Sequence, residues 1–266
     1  GSEGTLGVVT EVVLKLLPKP EAKKTMMVQF ETIHGAARAV AEIIRAKIIP
    51  TTLEFLDAAT IDCVRDISPI PLPEECRAIL IIEVDGDREV IERQAAKIME
   101  VIQPLGVIAN QIASTAEESE EIWQVRRNVS SSLRKVNPDK FNEDIVVPRS
   151  KVPEMISALE ELAGKYGVPI VNFGHAGDGN IHVNIMVDLA EDGMEDTVHK
   201  VMDEIFRSAL ALEGSISGEH GIGTSKMNYL GMEIDSATVG YMQRIKTAFD
   251  PNNILNPGKI FQSSAS

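Results

Sequence analysis

The chain has 266 residues, of which 44% are hydrophobic, and a formal net charge of −14 at pH 7. This length and composition suit a globular protein with one large core or two modest ones, and no apolar run approaches the roughly 20 residues that cross a bilayer. The negative charge argues against nucleic acid and anionic lipid as partners, because clustered Lys and Arg bind both.

Neither a secretory signal nor a disulfide scaffold is indicated. The first residues, GSEGTLGVVT, lack the basic start and apolar stretch of a signal peptide. Two cysteines, Cys63 and Cys76, are too few for a disulfide scaffold and lack zinc-finger spacing. We therefore expect reduced thiols and a cytoplasmic protein, peripheral to a membrane only through a partner.

The first half of the chain alternates between strand and helix patterns. VVTEVVLKLLP (8–18) predicts a strand, which we assign to a neighbouring domain because a lone short hairpin is not stable. After it, apolar spacing gives the order β-α-β, short helix, β-α-β. The predicted strands are 25–30, 50–57, 78–86 and 107–114, and the predicted helices are 34–46, 58–65 and 88–106.

The second half repeats this order. Helices are predicted at about 116–134, 151–167, 194–214 and 235–249, and strands at 143–148, 169–174, 180–187 and in SISGEHG (215–221). The expected fold class is therefore α+β, with two ferredoxin-like β-α-β-β-α-β halves that form a broad antiparallel sheet covered by helices.

The motif HAGDGNIH contains two histidines that a turn can bring together. In strand 180–187, alternation places the branched apolar residues on the buried face and His182 on the other. Gly177 and Gly179 let the backbone fold back, so that His175 approaches His182. Such a pair could bind a divalent metal. The alternative is a pair of polar residues on a solvent-facing strand.

The segment GSISGEHGIG (214–223) supplies a second polar cluster. In an extended backbone Glu219 and His220 point to opposite sides, so we expect them to have different roles. Glu219 suits a third metal ligand that leaves open positions, and His220 suits a general base. The alternative is a glycine-rich loop with two surface polar residues. Three glycines here let the backbone or a ligand approach closely: Gly218, Gly221 and Gly223.

Five motifs together resemble the FAD-linked oxidases of the vanillyl-alcohol-oxidase superfamily. In chain order they are GSEGTLGVVTEVVLKL, EDIVVPRS, FGHAGDGNIHVNI, GSISGEHGIGTSK and AFDPNNILNPGKIF. The likeness is greatest to the group of glycolate oxidase flavoprotein subunits, D-lactate dehydrogenases and D-2-hydroxyglutarate dehydrogenases, and it spans the whole chain. It implies that residues 1–17 end an FAD-binding domain and that residues 18–266 are a substrate or cap domain.

The resemblance also implies roles for individual residues. The implied metal ligands are His175, His182 and Glu219. The implied substrate contacts are Arg126, Ser130, Asn184 and His220, and the catalytic residues among them are His220, Arg126 and Asn184. A guanidinium fork suits a substrate carboxylate, although Arg126 could instead face solvent from its helix. Lys226 is interpreted as a surface lysine.

Residues at both ends of the chain match the flavin site of these relatives. The implied cofactor-binding residues are Gly1, Ser2, Glu3, Gly4, Thr5, Gly7 and Asn256. Most of the dinucleotide site lies outside this sequence, so we expect this polypeptide alone not to retain FAD. Asn142 stands where some relatives have a lysine, which favours lactate or glycolate over a dicarboxylic acid.

The expected function is oxidation of a 2-hydroxy acid to the 2-oxo acid by metal-assisted hydride transfer to FAD, with Zn, Fe or Mn as the metal. The expected partners are the N-terminal FAD domain and an iron–sulfur subunit, an electron-transferring flavoprotein, a quinone or oxygen; a homodimer is left open. A metal-binding regulatory module without catalysis and metal-assisted hydrolysis remain alternatives. Three ligands rather than four favour catalysis, because four protein ligands close a structural site.

Overall fold

Buried apolar strands alternate with amphipathic helices along the chain, and a computed structural model, which describes residues 1–261, shows their limits. The strands are β1 (Ala22–Phe30), β2 (Thr52–Asp57), β3 (Ala78–Gly86), β4 (Val107–Ile112), β5 (Asp139–Val146), β6 (Ile170–His175) and β7 (Asn180–Val187). The helices are α1 (Ile33–Arg45), α2 (Ala58–Val64), α3 (Arg88–Ile102), α4 (Ala116–Ser132), α5 (Val152–Tyr166), α6 (Met194–Ala211), α7 (Leu230–Glu233) and α8 (Ser236–Phe249).

The seven strands form one sheet in the order β4-β1-β3-β2-β6-β7-β5, and every neighbouring pair is antiparallel. The first four strands have the ferredoxin-like order, with the first and third strands in the middle. In the second half, β5, β6 and β7 take the equivalent places of the first three strands. Within residues 1–261, the place of a fourth strand, beside β5, holds a single bridge between Val146 and Ser215. The predicted α+β fold class is confirmed.

Helices cover both faces of the sheet, and the two faces have separate cores. Helices α1, α3, α5 and α6 pack on one face, where Ile43, Ile98 and Phe206 are fully buried. Helices α2 and α4 pack on the other, where Ile61 and Val125 are fully buried. Each such side chain contributes about 1.5–3 kcal/mol by leaving water. The polar cluster described below lies on the face of α2 and α4.

The seam between the halves is the pairing of β2 with β6. At the end of β2, Asp57 caps α2 by accepting from Thr60 N at 2.8 Å, and it also accepts from Asn172 N at 3.2 Å and Asn172 Nδ2 at 2.8 Å. Burial raises the pKa of Asp57 to about 6, against the opposing effect of these hydrogen bonds. One carboxyl group therefore links a helix of the first half to a strand of the second.

Two predicted strands are absent from residues 1–261. Residues 8–18 have no strand partner there, and the apolar side chains Val13 and Leu16 are 92% and 83% exposed. SISGEHG makes only the Ser215 bridge there, because the amides of Glu219 and His220 turn towards Asp144 Oδ2. The other elements lie within about four residues of their predicted limits. No helix in residues 1–261 is both long and apolar enough to cross a membrane.

Candidate functional site

Four adjacent strands carry a row of polar side chains on the face of α2 and α4. Glu54 comes from β2, His175 from β6, His182 from β7 and Asp144 from β5. Pairing sets Glu54 opposite His175 and Asp144 opposite His182. Directly paired residues of antiparallel strands point to the same side, so this row follows from the register of the sheet.

The turn between β6 and β7 brings the two histidines together, with ring centroids 5.2 Å apart. Gly179 N donates to His175 O at 3.0 Å, and Gly179 has φ 87°. A side chain at Gly179 would also collide with the carbonyl oxygen of Val147. Gly177 has no such constraint, since a Cβ there would only touch Leu53 at 3.7 Å. Of the two glycines expected to shape the turn, only Gly179 is required.

Glu219 completes a group of three ligands with these histidines. Its Oε1 lies 3.6 Å from His175 Nε2 and 3.3 Å from His182 Nε2, and the three ligand atoms all lie within 4.8 Å of one another. Ligands bound tetrahedrally at about 2.1 Å from zinc stand about 3.4 Å apart, so the spacing fits a divalent ion. The three residues expected to bind a metal are thus brought together.

A buried carboxylate stands behind the first histidine. Glu54 Oε1 is hydrogen-bonded to His175 Nδ1, and Glu54 Oε2 accepts from Arg126 Nε at 2.9 Å. Burial would raise the pKa of Glu54, but the bond to His175 and the charge of Arg126 outweigh it and lower the pKa. The same bond raises the pKa of His175, while burial and the nearby His175 lower the pKa of His182. A neutral His182 offers its lone pair to a metal.

His220 lies beside the ligands and not across the backbone from them. Its ring stacks on that of His182 at 5.4 Å, and its Nε2 lies 4.0 Å from Glu219 Oε1. The expectation that Glu219 and His220 point to opposite sides is wrong, because their amides converge on Asp144 Oδ2 at 2.5 and 2.8 Å and bend the chain. Asp144 Oδ1 also lies 3.4 Å from His220 Nδ1, which leaves Nε2 facing the site.

Lys226 is buried and is not a surface residue; it holds the loop of Glu219 and His220 through Asp144. Its side chain is 2% exposed and donates to Asp144 Oδ1 at 2.5 Å, to Asp144 O at 2.8 Å and to Ile216 O at 2.7 Å. Burial would raise the pKa of Asp144, but the amides of Glu219 and His220 together with Lys226 outweigh it and lower the pKa. Asp144 therefore stays charged while it holds the loop.

Arg126 reaches the site from α4. Its guanidinium lies 4.4 Å from the centroid of the Phe173 ring, which in turn lies 5.5 Å from the His182 ring. The side chain is 17% exposed, so Arg126 does not simply face solvent. Its Nε is used by Glu54, which leaves the two terminal nitrogens of the fork for another partner. Ser130, one turn further along α4, is exposed.

Asn184 lies deeper in the sheet than the other predicted substrate contacts. It is fully buried, and its Nδ2 donates to Val171 O at 2.9 Å and His182 O at 3.3 Å. Its Oδ1 accepts from Asn142 Nδ2 at 2.9 Å, on the neighbouring strand. The amide that was expected to touch substrate is thus engaged on both sides within the sheet.

Two of the residues expected to lie against flavin, Glu3 and Asn256, are connected by hydrogen bonds to the loop that carries His220. Glu3 accepts from Ile222 N at 2.8 Å and Gly223 N at 2.7 Å, and a side chain at Gly221 would collide with Glu3. Asn256 Nδ2 donates to Glu3 O at 2.6 Å. The N-terminal loop, the C-terminal turn and the His220 loop therefore form one cluster. Of the other predicted flavin contacts, Thr5 is buried, Ser2 is half-buried, and Gly1, Gly4 and Gly7 are exposed.

Sequence reasoning missed Glu54, Asp144 and the buried role of Lys226. Glu54 carries a visible signal, since it is a charged residue in the middle of the strand TLEFLD, where burial of an unpaired charge is costly. Asp144 is also visible, as an acid that opens the apolar run DIVV. Lys226 carries no local signal, because its burial depends on Asp144, 82 residues earlier.

Known proteins resemble this chain over its whole length. Residues 19–260 match the family model for FAD linked oxidases, C-terminal domain. The glycolate oxidase subunit GlcD of Bacillus subtilis (strain 168) is 44% identical over 265 residues, which are 100% of this chain and 56% of that protein. The D-lactate dehydrogenase of Archaeoglobus fulgidus is 34% identical over 263 residues, which are 98% of this chain and 56% of that protein.

Solved structures with little sequence identity share the fold. A crystal structure of p-cresol methylhydroxylase with substrate bound matches 92% of this chain and 54% of its own, with a TM-score of 0.71 and 15% identity. The chain spans about half the length of the curated relatives that it matches. By its sequence match, this chain belongs to the family of FAD linked oxidases, C-terminal domain.

Proposed function

We propose that the protein is the C-terminal part of a flavin-dependent dehydrogenase that oxidises a 2-hydroxy acid, with D-lactate or glycolate favoured, to the 2-oxo acid. The observation that carries this proposal is the convergence of His175, His182 and Glu219 within 4.8 Å, with Arg126 and His220 beside them. The names of the relatives, glycolate oxidase subunit and D-lactate dehydrogenase, support the substrate class.

In this proposal residues 1–17 complete an FAD-binding domain and residues 18–266 form the substrate domain. Two exposed apolar surfaces support the division. One is the segment 8–17, and the other is a stripe on α8 formed by Tyr241, Ile245 and Phe249, which are 62%, 50% and 68% exposed. Apolar side chains grouped in this way mark a surface that another domain covers. The FAD domain is thus the first partner, and the electron acceptor is a separate partner.

Each residue near the proposed metal position has a distinct role in the oxidation. Arg126 holds the substrate carboxylate with the two terminal nitrogens that Glu54 leaves free. His220 accepts the hydroxyl proton at Nε2, and the charged Asp144 beside Nδ1 stabilises the imidazolium that forms. His175, His182 and Glu219 would hold a divalent metal, which would supply a Lewis acid for the hydroxyl oxygen. Bound FAD would supply the hydride acceptor.

Loss of metal ligands tests this function. We expect His182→Ala and Glu219→Ala, each made in the full-length gene product, to lose bound metal and to lower turnover by at least a hundredfold, since each removes one of three ligands. The assay is dye reduction with the enantiomers of lactate and 2-hydroxyglutarate and with glycolate, together with metal analysis. His199→Ala is the matched control, because His199 lies exposed on α6.

Full turnover in either ligand variant would refute the proposal. Metal binding in the wild-type protein without flavin and without turnover of any hydroxy acid would support instead a metal-binding module without catalysis. Hydrolytic activity without flavin would support the third alternative.

A further inference from the structure

Glu54 contacts two groups that the proposed reaction uses, although it lies outside the ligand set. Its side chain is 7% exposed, and it sits opposite His175 in the register of β2 and β6. One carboxylate oxygen bonds His175 Nδ1, and the other accepts from Arg126 Nε at 2.9 Å. Both oxygens are therefore engaged, each by a group with a different role.

The bond to His175 settles which ring nitrogen faces the metal position. With Nδ1 directed at Glu54, the lone pair that remains for a metal is on Nε2, the atom that lies 3.6 Å from Glu219 Oε1. A carboxylate behind a metal-binding histidine fixes the tautomer and the orientation of the ring, and it makes the ring a better donor. Nothing else in residues 1–261 is hydrogen-bonded to the His175 ring.

The bond to Arg126 settles which nitrogens face the substrate. The guanidinium carbon lies over the Phe173 ring, 4.4 Å from its centroid, and Nε donates to Glu54, so the two contacts together restrict the orientation of the fork. Because one buried carboxylate bonds both His175 and Arg126, it also fixes the distance between these two side chains. In a 2-hydroxy acid the hydroxyl and the carboxylate are on adjacent carbons, so this distance must be kept within narrow limits.

We propose that Glu54 is a positioning residue that locks the metal-binding His175 and the carboxylate-binding Arg126 into one rigid unit, and so sets the site for substrates whose hydroxyl and carboxylate are on adjacent carbons. This inference rests on the function proposed above. Glu54 touches neither the substrate nor the reacting atoms; it acts through His175 and Arg126.

The test compares Glu54→Gln with Glu83→Gln in the full-length gene product. Glutamine keeps the size of Glu54 but presents an NH₂ group to one of its two donors. We expect affinity for Zn²⁺ and Mn²⁺, measured by chelator competition, to fall about 10–100-fold. Glu83 is the matched control, because it lies on the same face of the sheet and accepts from Lys23, Thr25 and Trp123, away from the ligands.

A second readout separates the two contacts of Glu54. At saturating metal we expect the kcat of Glu54→Gln to recover in part, while KM for the hydroxy acid stays at least tenfold above wild type, because Arg126 is still misplaced. Glu54→Asp keeps the charge but shortens the arm by one carbon, and we expect its metal affinity to lie between those of wild type and Glu54→Gln.

Wild-type metal affinity and KM in Glu54→Gln would overturn the positioning role and leave the proposed function standing. An equal loss of metal affinity in Glu83→Gln would also overturn it, since the effect would then be one of general stability. A wild-type protein that binds no metal and oxidises no hydroxy acid would end both proposals.

Discussion

The two halves of the sheet begin with the same order of elements and differ in how they end. In the first half β4 pairs along β1 and completes a four-stranded unit. In the second half the chain returns to β5 and makes one backbone bridge, and the rest of the returning loop is held by hydrogen bonds to side chains. Asp144 accepts two amides of the returning loop, and Lys226 ties Asp144 to Ile216.

The complete ladder of the first half stabilises the sheet, whereas the incomplete second half leaves a loop free to present polar side chains. A ladder uses the backbone amides and carbonyls of both strands, and it leaves little freedom for a loop to present side chains to a ligand. Where the ladder is missing, the amides of Glu219 and His220 can converge on one carboxylate, and their side chains face the histidines. The site is built where the second half departs from the first.

The largest effect is expected from loss of Asp144, which holds the returning loop of the second half. Asp144→Ala leaves the buried Lys226 without its closest charge partner, and we expect a loss of about 3–5 kcal/mol in the free energy of unfolding. Hydrogen exchange should show the amides of Glu219 and His220 unprotected while β4 stays protected. Asp203→Ala is the control, because its pair with Arg207 is exposed and contributes little to stability. Unchanged protection at 219–220 would contradict the account of the loop.

The seam between the halves should respond to pH through Asp57. The folded-state pKa of about 6 lies above the ordinary aspartate value of 3.8, so this group favours the native state fully below pH 3.8, and the benefit is lost as pH rises through 6. The difference of about two pKa units corresponds to about 3 kcal/mol. Denaturant unfolding between pH 4 and 7 measures it, with Asp57→Asn as the variant that cannot titrate. If the free energy of unfolding depended on pH equally in the wild-type protein and in Asp57→Asn, the raised pKa of the buried Asp57 would be contradicted.

A smaller and more local effect is expected in the turn of the second half. Gly179→Ala must adopt φ 87° and avoid the carbonyl of Val147, so we expect a loss of about 1–3 kcal/mol and weaker metal binding as the two histidines separate. Gly177→Ala, two residues away, should be tolerated because there is space for its Cβ. Thermal unfolding and metal titration of the pair provide the measurement, and equal effects of the two changes would contradict the assigned turn geometry.

Local patterns predicted most of the framework and part of the site. Strand β7 was placed at its observed limits, because its alternation and the glycine turn before it are strong signals. The motifs predicted the grouping of His175, His182 and Glu219. The turn between β6 and β7 brings the two histidines together, and the bond from Glu219 N to Asp144 places Glu219 beside them. The predicted strand 8–18 does not form within residues 1–261, because a strand needs a partner and these residues supply none; its assignment to a neighbouring domain stays a prediction. SISGEHG failed because hydrogen bonds to Asp144, about 75 residues away, override its extended pattern.

The contact of Glu3 with the loop of His220 has a consequence for the order of folding. Glu3 and Ile222 are 219 residues apart in the chain, and Glu3 and Asn256 are 253 residues apart. Closing so large a loop is entropically costly, and such contacts gain their benefit only after the intervening sheet exists. We therefore expect the segment that carries the proposed base to become rigid last, once Glu3 and Asn256 have met on the folded sheet.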